Sequence, residues 1–195
     1  MIPQTIHKMA ALECVSAMQK CVRRGMEREA MEFACELGHT SKAFVTMVCN
    51  RLQLISHEDV GLAAPEVIPL VRVCCQQARE FYDAEKQGKW RMFVGTAIRA
   101  LCRAAKSREG DHFQAAVGLR SQLLDFVPEI PDWAHDVHTR KGKAMGRGLD
   151  HFRTNGAMLI PAPTEVDYYE EDCYKMWALR DKLKAKAKAS KRAAS

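Results

Sequence analysis

The chain has 195 residues, 47% of them hydrophobic, and a formal net charge of +6. A chain of this length suits one or two domains, and its apolar content is sufficient for a buried core, which excludes a wholly disordered protein. Eight of the 30 Lys and Arg residues lie between Lys175 and Ser195, where Asp181 is the only acid, so the rest of the chain is nearly neutral.

From Thr5 to Phe126 the apolar residues recur every three or four positions, which predicts helices throughout, and no strand pattern competes. Gly25 and Gly38 follow the first two stripes, where glycine commonly ends a helix. The first five stripes are Met9, Leu12, Val15, Met18 and Val22; Ala30, Phe33, Ala34 and Leu37; Phe44, Val45, Val48, Leu52 and Ile55; Val67, Leu70, Val71, Cys74 and Ala78; and Phe93, Val94, Ala97, Ile98, Leu101, Cys102 and Ala105.

The boundaries of the later helices have local signals. Thr40 or Ser41 can cap the third helix, and Pro65 stands where the fourth can begin. A sixth helix is predicted over residues 111–126, after which Gly, Pro, His and charged residues replace the apolar period. A last helix, capped by Thr164, is expected to fray beyond Leu183 into a Lys-Ala tail.

The predicted fold is therefore all-α. A helical bundle occupies residues 1–126, and an irregular segment rich in Gly, His and basic residues, packed on the bundle, occupies 127–163. A C-terminal helix covers 164–183 and a basic tail covers 184–195.

The eight cysteines are predicted to be reduced thiols. No apolar secretory segment follows Met1, so we expect a cytoplasmic protein, associated with the nucleoid or, in a eukaryote, with the nucleus. There is no Cys-x-x-Cys pair for zinc and no apolar run of the roughly 18 residues that cross a bilayer. Six cysteines lie within helical patterns and are predicted core residues: Cys14, Cys21, Cys35, Cys49, Cys74 and Cys102.

Several stretches between residues 12 and 108 resemble one family of proteins. They are Val15-Ser16-Ala17-Met18-Gln19-Lys20 with Arg23 and Arg24; Arg28-Glu29-Ala30-Met31; Arg51-Leu52-Gln53-Leu54-Ile55-Ser56-His57-Glu58-Asp59-Val60-Gly61-Leu62-Ala63-Ala64-Pro65; Pro69-Leu70; and Ala104-Ala105-Lys106-Ser107. These residues resemble the C-terminal domain of the RarA/MgsA family of AAA+ ATPases, which includes the Werner-helicase-interacting ATPase. His57 and Ala64 stand where that family has serine and aspartate, so no role is carried over to them.

The resemblance implies a clamp-loader-type helical collar that holds subunits together, usually as a tetramer, beneath ATPase modules acting at stalled replication forks. From the residues themselves, Glu58 to Leu62 is interpreted as an acidic connection between two helices. Gly61 can adopt a positive φ there, and the carboxylates of Glu58 and Asp59 are expected to cap the following helix.

The sequence contains no Gly-x-x-x-x-Gly-Lys-Ser/Thr loop, because Gly142-Lys143 is followed by Ala144. ATP hydrolysis by this chain is not expected, and we predict a non-enzymatic protein without a cofactor. The alternative is a metal-dependent phosphohydrolase centred on His135, Asp136 and His138, in a pattern similar to HD-type phosphohydrolases. Its nominal further ligands are His112, Asp132, Asp150, His151 and Asp167.

Basic residues interleaved with glycines suggest a surface for nucleic acid or another anion, since glycine lets a backbone approach phosphates closely. The candidates are Arg140, Lys141, Lys143, Arg147 and Arg153, together with Lys184, Lys186 and Lys188 in the tail. Trp90, Trp133 and Trp177 are interpreted as packing anchors. We predict a tetrameric, non-catalytic adaptor in DNA replication, recombination or repair, whose partners are DNA, a full-length AAA+ ATPase, or both, and not a membrane.

Overall fold

The computed structural model describes residues 3–82 and 88–193, except the side chains of Lys188 and residues 191–193. Apart from an isolated bridge between Gln4 and Ala10, these residues contain no β-structure, and the all-α prediction is confirmed. Two compact units divide the chain, Met1–Phe126 (unit 1) and Val127–Ser195 (unit 2). No helix among the described residues is long and apolar enough to cross a membrane.

The described residues of unit 1 form six α-helices: α1 (Ala11–Arg23), α2 (Glu27–Thr40), α3 (Lys42–Ile55), α4 (Val67–Glu80), α5 (Lys89–Arg103) and α6 (Glu109–Leu123). A π-helical turn (Ser56–Val60) and a 3-10 turn (Gly61–Ala63) join α3 to α4. Helix α4 packs along α5, α1 packs along α2, and α3 contacts both α2 and α4. The largest fully buried side chains of the core are Trp90, Met18, Leu37, Leu52, Ile55, Ile98 and Leu101.

The first helix ends as predicted, in a Schellman motif. Gly25 has a φ of +72°, its N–H donates to the carbonyl of Val22, and the N–H of Met26 donates to that of Cys21. The start of the predicted stripe was wrong, because Met9 precedes α1 and Leu12 is exposed. Ala11 and Cys14 take the core positions instead.

Gly38 does not end α2, contrary to the prediction. The helix continues to Thr40, and Gly38 lies buried inside it against the indole of Trp90. Ser41 precedes α3 without a side-chain capping bond. Glycine is needed at position 38 for a close approach between α2 and α5, which a sequence pattern cannot distinguish from a helix end.

The cysteines of unit 1 are free thiols placed largely as predicted. Cys14, Cys49 and Cys74 are buried in the core, whereas Cys21, Cys35 and Cys102 are half-buried. Burial raises the pKa of the Cys102 thiol to about 11, so this thiol remains protonated and weakly nucleophilic at neutral pH.

Unit 2 is more helical than expected. Between residues 127 and 163 it contains a 3-10 turn (Asp132–Ala134), two short helices, α7 (Arg140–Ala144) and α8 (Leu149–His151), and a π-helical turn (Phe152–Gly156). The last helix, α9 (Glu170–Ala193), begins six residues after Thr164 and, contrary to expectation, continues beyond Leu183. Three acids in its first turn suit the positive end of a helix dipole, and the Lys-Ala repeat has high helix propensity.

Candidate interaction surfaces

Residues that carry the family resemblance converge on one buried carboxylate in unit 1. Asp59 is 2% exposed, and both its oxygens accept hydrogen bonds from Nε of Arg23, at 2.8 and 2.9 Å. Gln19 donates to Asp59 at 3.2 Å and to Glu58 at 3.0 Å. Arg108 lies 3.6 Å from both carboxylates. We call these five residues the Asp59 network.

The network gives the acidic connection a structural role different from the expected one. Glu58 and Asp59 do not cap α4, whose first turn has no side-chain cap; they tie the connection to α1. Gly61 does adopt a positive φ, of +53°. The backbone N–H of Ser107 donates to the Asp59 carbonyl at 3.1 Å, which fixes the link before α6 to the same turn.

Lys106, also part of the resemblance, follows α5 and caps its C-terminal end. Its ammonium donates to the carbonyls of Leu101, Cys102 and Ala104 at 2.5, 3.1 and 2.9 Å. Partial burial lowers the pKa of Lys106, and the cation satisfies carbonyls that the helix end leaves unpaired.

Helix α6 presents an apolar surface to solvent. None of its 15 residues is buried, and its contacts with the rest of unit 1 lie at the 56–63 connection. The α6 face is defined by five apolar side chains that are each more than half exposed: Phe113, Val117, Leu119, Leu123 and Leu124. Exposed large apolar side chains in this number are typical of a surface that binds another protein.

A groove of about 740 Å³ lies beside the start of α6, entirely within unit 1. Its apolar lining includes Leu54, Leu62, Ile68 and Phe113, and its polar lining includes His57 and the three acids Glu58, Glu109 and Asp111. Among the described residues that line it there is no Lys or Arg. Leu62 is 91% exposed. We call this the acidic groove.

The predicted basic segment of unit 2 is folded around close backbone contacts. Thr139 caps α7 by accepting from the N–H of Gly142 at 3.0 Å. A Cβ on Gly142 would lie 1.9 Å from the carbonyl oxygen of Asp136, so this glycine permits contact with the protein's own backbone. Gly146, with a φ of +71°, ends α7 in a second Schellman motif. Each of these two glycines therefore has a structural explanation within unit 2.

Arg147 is occupied by contacts within the same segment. Its Nη1 donates to the carbonyls of Asp132 at 2.6 Å and His135 at 2.9 Å, and its Nη2 donates to the Asp132 carboxylate at 2.6 Å. These bonds hold the pKa of Asp132 below its ordinary value. The Arg147 side chain is 16% exposed, and its bonds hold residues 132–135 against the end of α7. We call this set of bonds the Arg147 clamp.

Arg153 also has partners inside unit 2. Its guanidinium lies 3.5 Å from the Glu170 carboxylate and over the ring of Tyr174. Tyr174 and Phe152 contact Trp177, which supports the packing interpretation of that tryptophan. Trp90 is buried, as expected of an anchor, but Trp133 is 61% exposed.

Five of the six remaining candidate cations are exposed. Helix α7 carries Arg140, Lys141 and Lys143, which we call the α7 cations. No described residue forms an ion pair with them. Lys184 and Lys186 are exposed on α9, and the side chain of Lys188 lies outside the described residues. The structure therefore separates five exposed candidates from the two arginines engaged within unit 2.

The histidine cluster does not converge on a metal-sized site. His135 is buried, with a carbonyl that binds Arg147, and the Asp136 carboxylate accepts from the backbone N–H of His138 at 2.9 Å. His138 packs edge-on against Phe152. Among the described residues, no three His, Cys, Asp or Glu side chains are grouped so as to hold a metal ion.

Sequence reasoning missed both unit 1 surfaces. The apolar residues of the α6 face follow no one-sided helical pattern that would mark an interaction surface in the sequence. The acidic groove joins residues up to 60 positions apart, from Leu54 to Gln114, which a linear scan does not connect. The one available signal was Leu62, an apolar residue directly after Gly61 in a connection between helices.

The chain is similar in sequence to a known replication-associated protein. No protein-family model matches the chain. The chain is 26% identical over 146 residues to replication-associated recombination protein A of Bacillus subtilis strain 168. The match covers 73% of this chain, and the chain spans 32% of the length of that relative. The resemblance found in the sequence is thus confirmed, and the similarity is consistent with a C-terminal domain of the replication-associated recombination protein A family.

Proposed function

We propose that this protein is a non-catalytic, self-associating adaptor in DNA replication, recombination or repair. The observation that carries the proposal is the α6 face, which leaves a complete helix without a buried residue. An isolated helix of about 15 residues or fewer is marginally stable in water, because most helical stability in proteins comes from packing an apolar face. Helix α6 therefore requires a partner surface.

A second copy of the chain is the proposed partner. Self-association buries the same apolar surface on each protomer, and most soluble oligomers are closed, symmetric assemblies of identical chains. The resemblance to a tetrameric collar supports four copies. The similarity to a replication-associated recombination protein supports the cellular process and makes a full-length AAA+ ATPase of that family a candidate partner.

DNA contact is proposed for the α7 cations and for the Lys residues of α9. Exposed Lys and Arg neutralise phosphates and release counterions, so binding should weaken steeply with salt. We expect removal of residues 182–195 to lower the affinity for a short DNA duplex while leaving the fold intact, as measured by fluorescence anisotropy at two salt concentrations. Equal affinity with and without these residues would contradict a role for them in binding.

The self-association is tested by light scattering on the full chain across micromolar concentrations. The Val117→Asp and Leu124→Asp variants place a charge on the α6 face and should dissociate the oligomer. Val73→Asp and Met92→Asp are matched controls, because both residues are more than half exposed on other helices. A wild-type mass of one chain at tens of micromolar would overturn the proposal.

A further inference from the structure

We propose that the acidic groove binds helix α9 of a second copy of this chain. This inference rests on the proposed self-association and adds a second, chemically distinct contact to it. Phe113 belongs both to the α6 face and to the lining of the acidic groove. A copy held at the α6 face is therefore brought next to the groove.

The groove has the features of a site for an amphipathic helix. Leu54, Leu62 and, from α6, Phe113 are exposed apolar side chains that line it. Grooves of this kind take helices that present apolar anchors at positions i, i+3 or i+4, and i+7. The groove's volume, about 740 Å³, lies in the range of formed binding sites.

The charge of the groove favours a basic helix. Of the three acids in the lining, Glu58 is shared between Arg23 and Arg108, and Asp111 pairs with Arg108. Glu109 is exposed and has no ion pair among the described residues, so its carboxylate is available to an incoming cation. A basic partner bound in the groove therefore compensates the negative charge of Glu109, which unit 1 itself leaves unpaired among the described residues.

Helix α9 carries the complementary pattern. Met176, Leu179 and Leu183 lie at i, i+3 and i+7, and each is about half exposed. Arg180 and Lys184 border the same strip of the helix. The anchors and cations therefore occupy one side of α9, in the arrangement that an apolar groove with an acidic rim can bind.

Exchange of charges between copies tests the contact directly. Glu109→Lys and Lys184→Glu should each weaken self-association of the full chain by about threefold to tenfold, measured by sedimentation velocity. An equimolar mixture of the two variants should associate more tightly than either alone. In the mixture, each unlike pair of chains forms two groove contacts. In one contact the original Glu109 meets the original Lys184, and in the other both charges are reversed, so both contacts join opposite charges.

Matched controls separate this contact from general electrostatics. Lys186→Glu changes the net charge by the same amount but lies on α9 outside the Lys184 strip, and Glu32→Lys reverses an exposed acid on α2. Both should leave the dissociation constant within about twofold of the wild type. Leu62→Asp and Leu183→Asp should weaken association without rescue on mixing, since neither creates a complementary pair.

The outcomes distinguish this inference from the proposed function. If the α6-face variants dissociate the oligomer while the groove and α9 variants do not, the groove contact is overturned and the adaptor proposal stands. If the charge variants weaken association but their mixture shows no recovery, the contact is not between copies and the inference is wrong. A wild-type chain that stays monomeric overturns both.

Discussion

Gly38 lies so close to the indole of Trp90 that a Cβ built on the glycine would stand 2.1 Å from Cη2 of the ring. The two residues join α2 to α5, and Trp90 is 1% exposed. His39 packs edge-on against the same indole, at 5.9 Å between ring centroids. This contact fixes the separation of two helices that form much of the core of unit 1.

We expect Gly38→Ala to destabilise the protein by about 3 kcal/mol, because the added methyl group overpacks a rigid aromatic ring. For a chain of this size the midpoint of thermal unfolding should fall by about 6–12 °C. Gly95→Ala is the matched control, since its Cβ would meet Met31 at an ordinary 3.8 Å. Alanine there should stabilise α5 slightly through its higher helix propensity. Equal stability of the two variants in a thermal melt would contradict the argument.

Replacement of Asp59 should be among the most damaging substitutions in unit 1. Asp59→Asn removes the charge that faces Arg23 and leaves a partly buried guanidinium without its main partner. We expect a loss of about 2–4 kcal/mol, measured by urea denaturation. Glu58→Gln is the control and should cost less, because Glu58 is 27% exposed and water can replace its contacts. A loss from Asp59→Asn no larger than that from Glu58→Gln would count against the network's structural role.

Most of the fold could be predicted from the sequence because its physical signals are local. The apolar period located the helices of unit 1, and Gly25 marked the end of α1. Gly38 was misjudged because its function depends on Trp90, 52 positions away. The late start of α9 depends on which of several possible first turns is formed, and three consecutive acids at Glu170 favour the observed one.

The candidate surfaces were less predictable. The sequence placed the basic residues but not their partners, so Arg147 resembled the α7 cations although its guanidinium binds Asp132 and His135. Within the Asp59 network, Gln19 and Arg23 were singled out only through the family resemblance, and Arg108 was not singled out at all. The α6 face is exposed because other elements of unit 1 do not pack on it. The sequence pattern of one helix does not show which other elements pack against that helix.

The ion pair between α2 and α5 should make stability depend on pH in acid. The hydrogen bond and ion pair from Arg103, followed by those from Arg99, hold the pKa of Glu27 below its ordinary value of 4.5. A carboxyl with a depressed pKa in the folded state stabilises fully above the unfolded pKa and loses this effect as the pH falls through the folded pKa.

Glu27→Gln should therefore be less stable than the wild type at about pH 6, and the difference should shrink as the pH falls below 4.5. Urea denaturation across this range measures it. Glu29→Gln is the control: it removes another acid from the first turn of α2, where no described residue forms an ion pair with it. A Glu27→Gln difference that stays constant with pH would contradict the assignment.

The last prediction separates the α7 cations from Arg147. In a chain that ends before Lys182, replacing Arg140, Lys141 and Lys143 together with Gln should weaken binding to a short DNA duplex. The salt dependence of the affinity should fall by about one phosphate contact for each cation that touches DNA. Thermal stability should change little, because exposed charges without partners contribute little to folding.

Arg147→Gln should behave in the opposite way. It removes three hydrogen bonds from a guanidinium that is largely shielded from solvent, so backbone amides between Asp132 and Arg147 should exchange with deuterium faster. DNA affinity should fall less than in the triple variant, because the exposed cations remain. If instead Arg147→Gln leaves exchange unchanged and weakens DNA binding as strongly as the triple replacement, Arg147 contacts the phosphate backbone, and the clamp is not its main role.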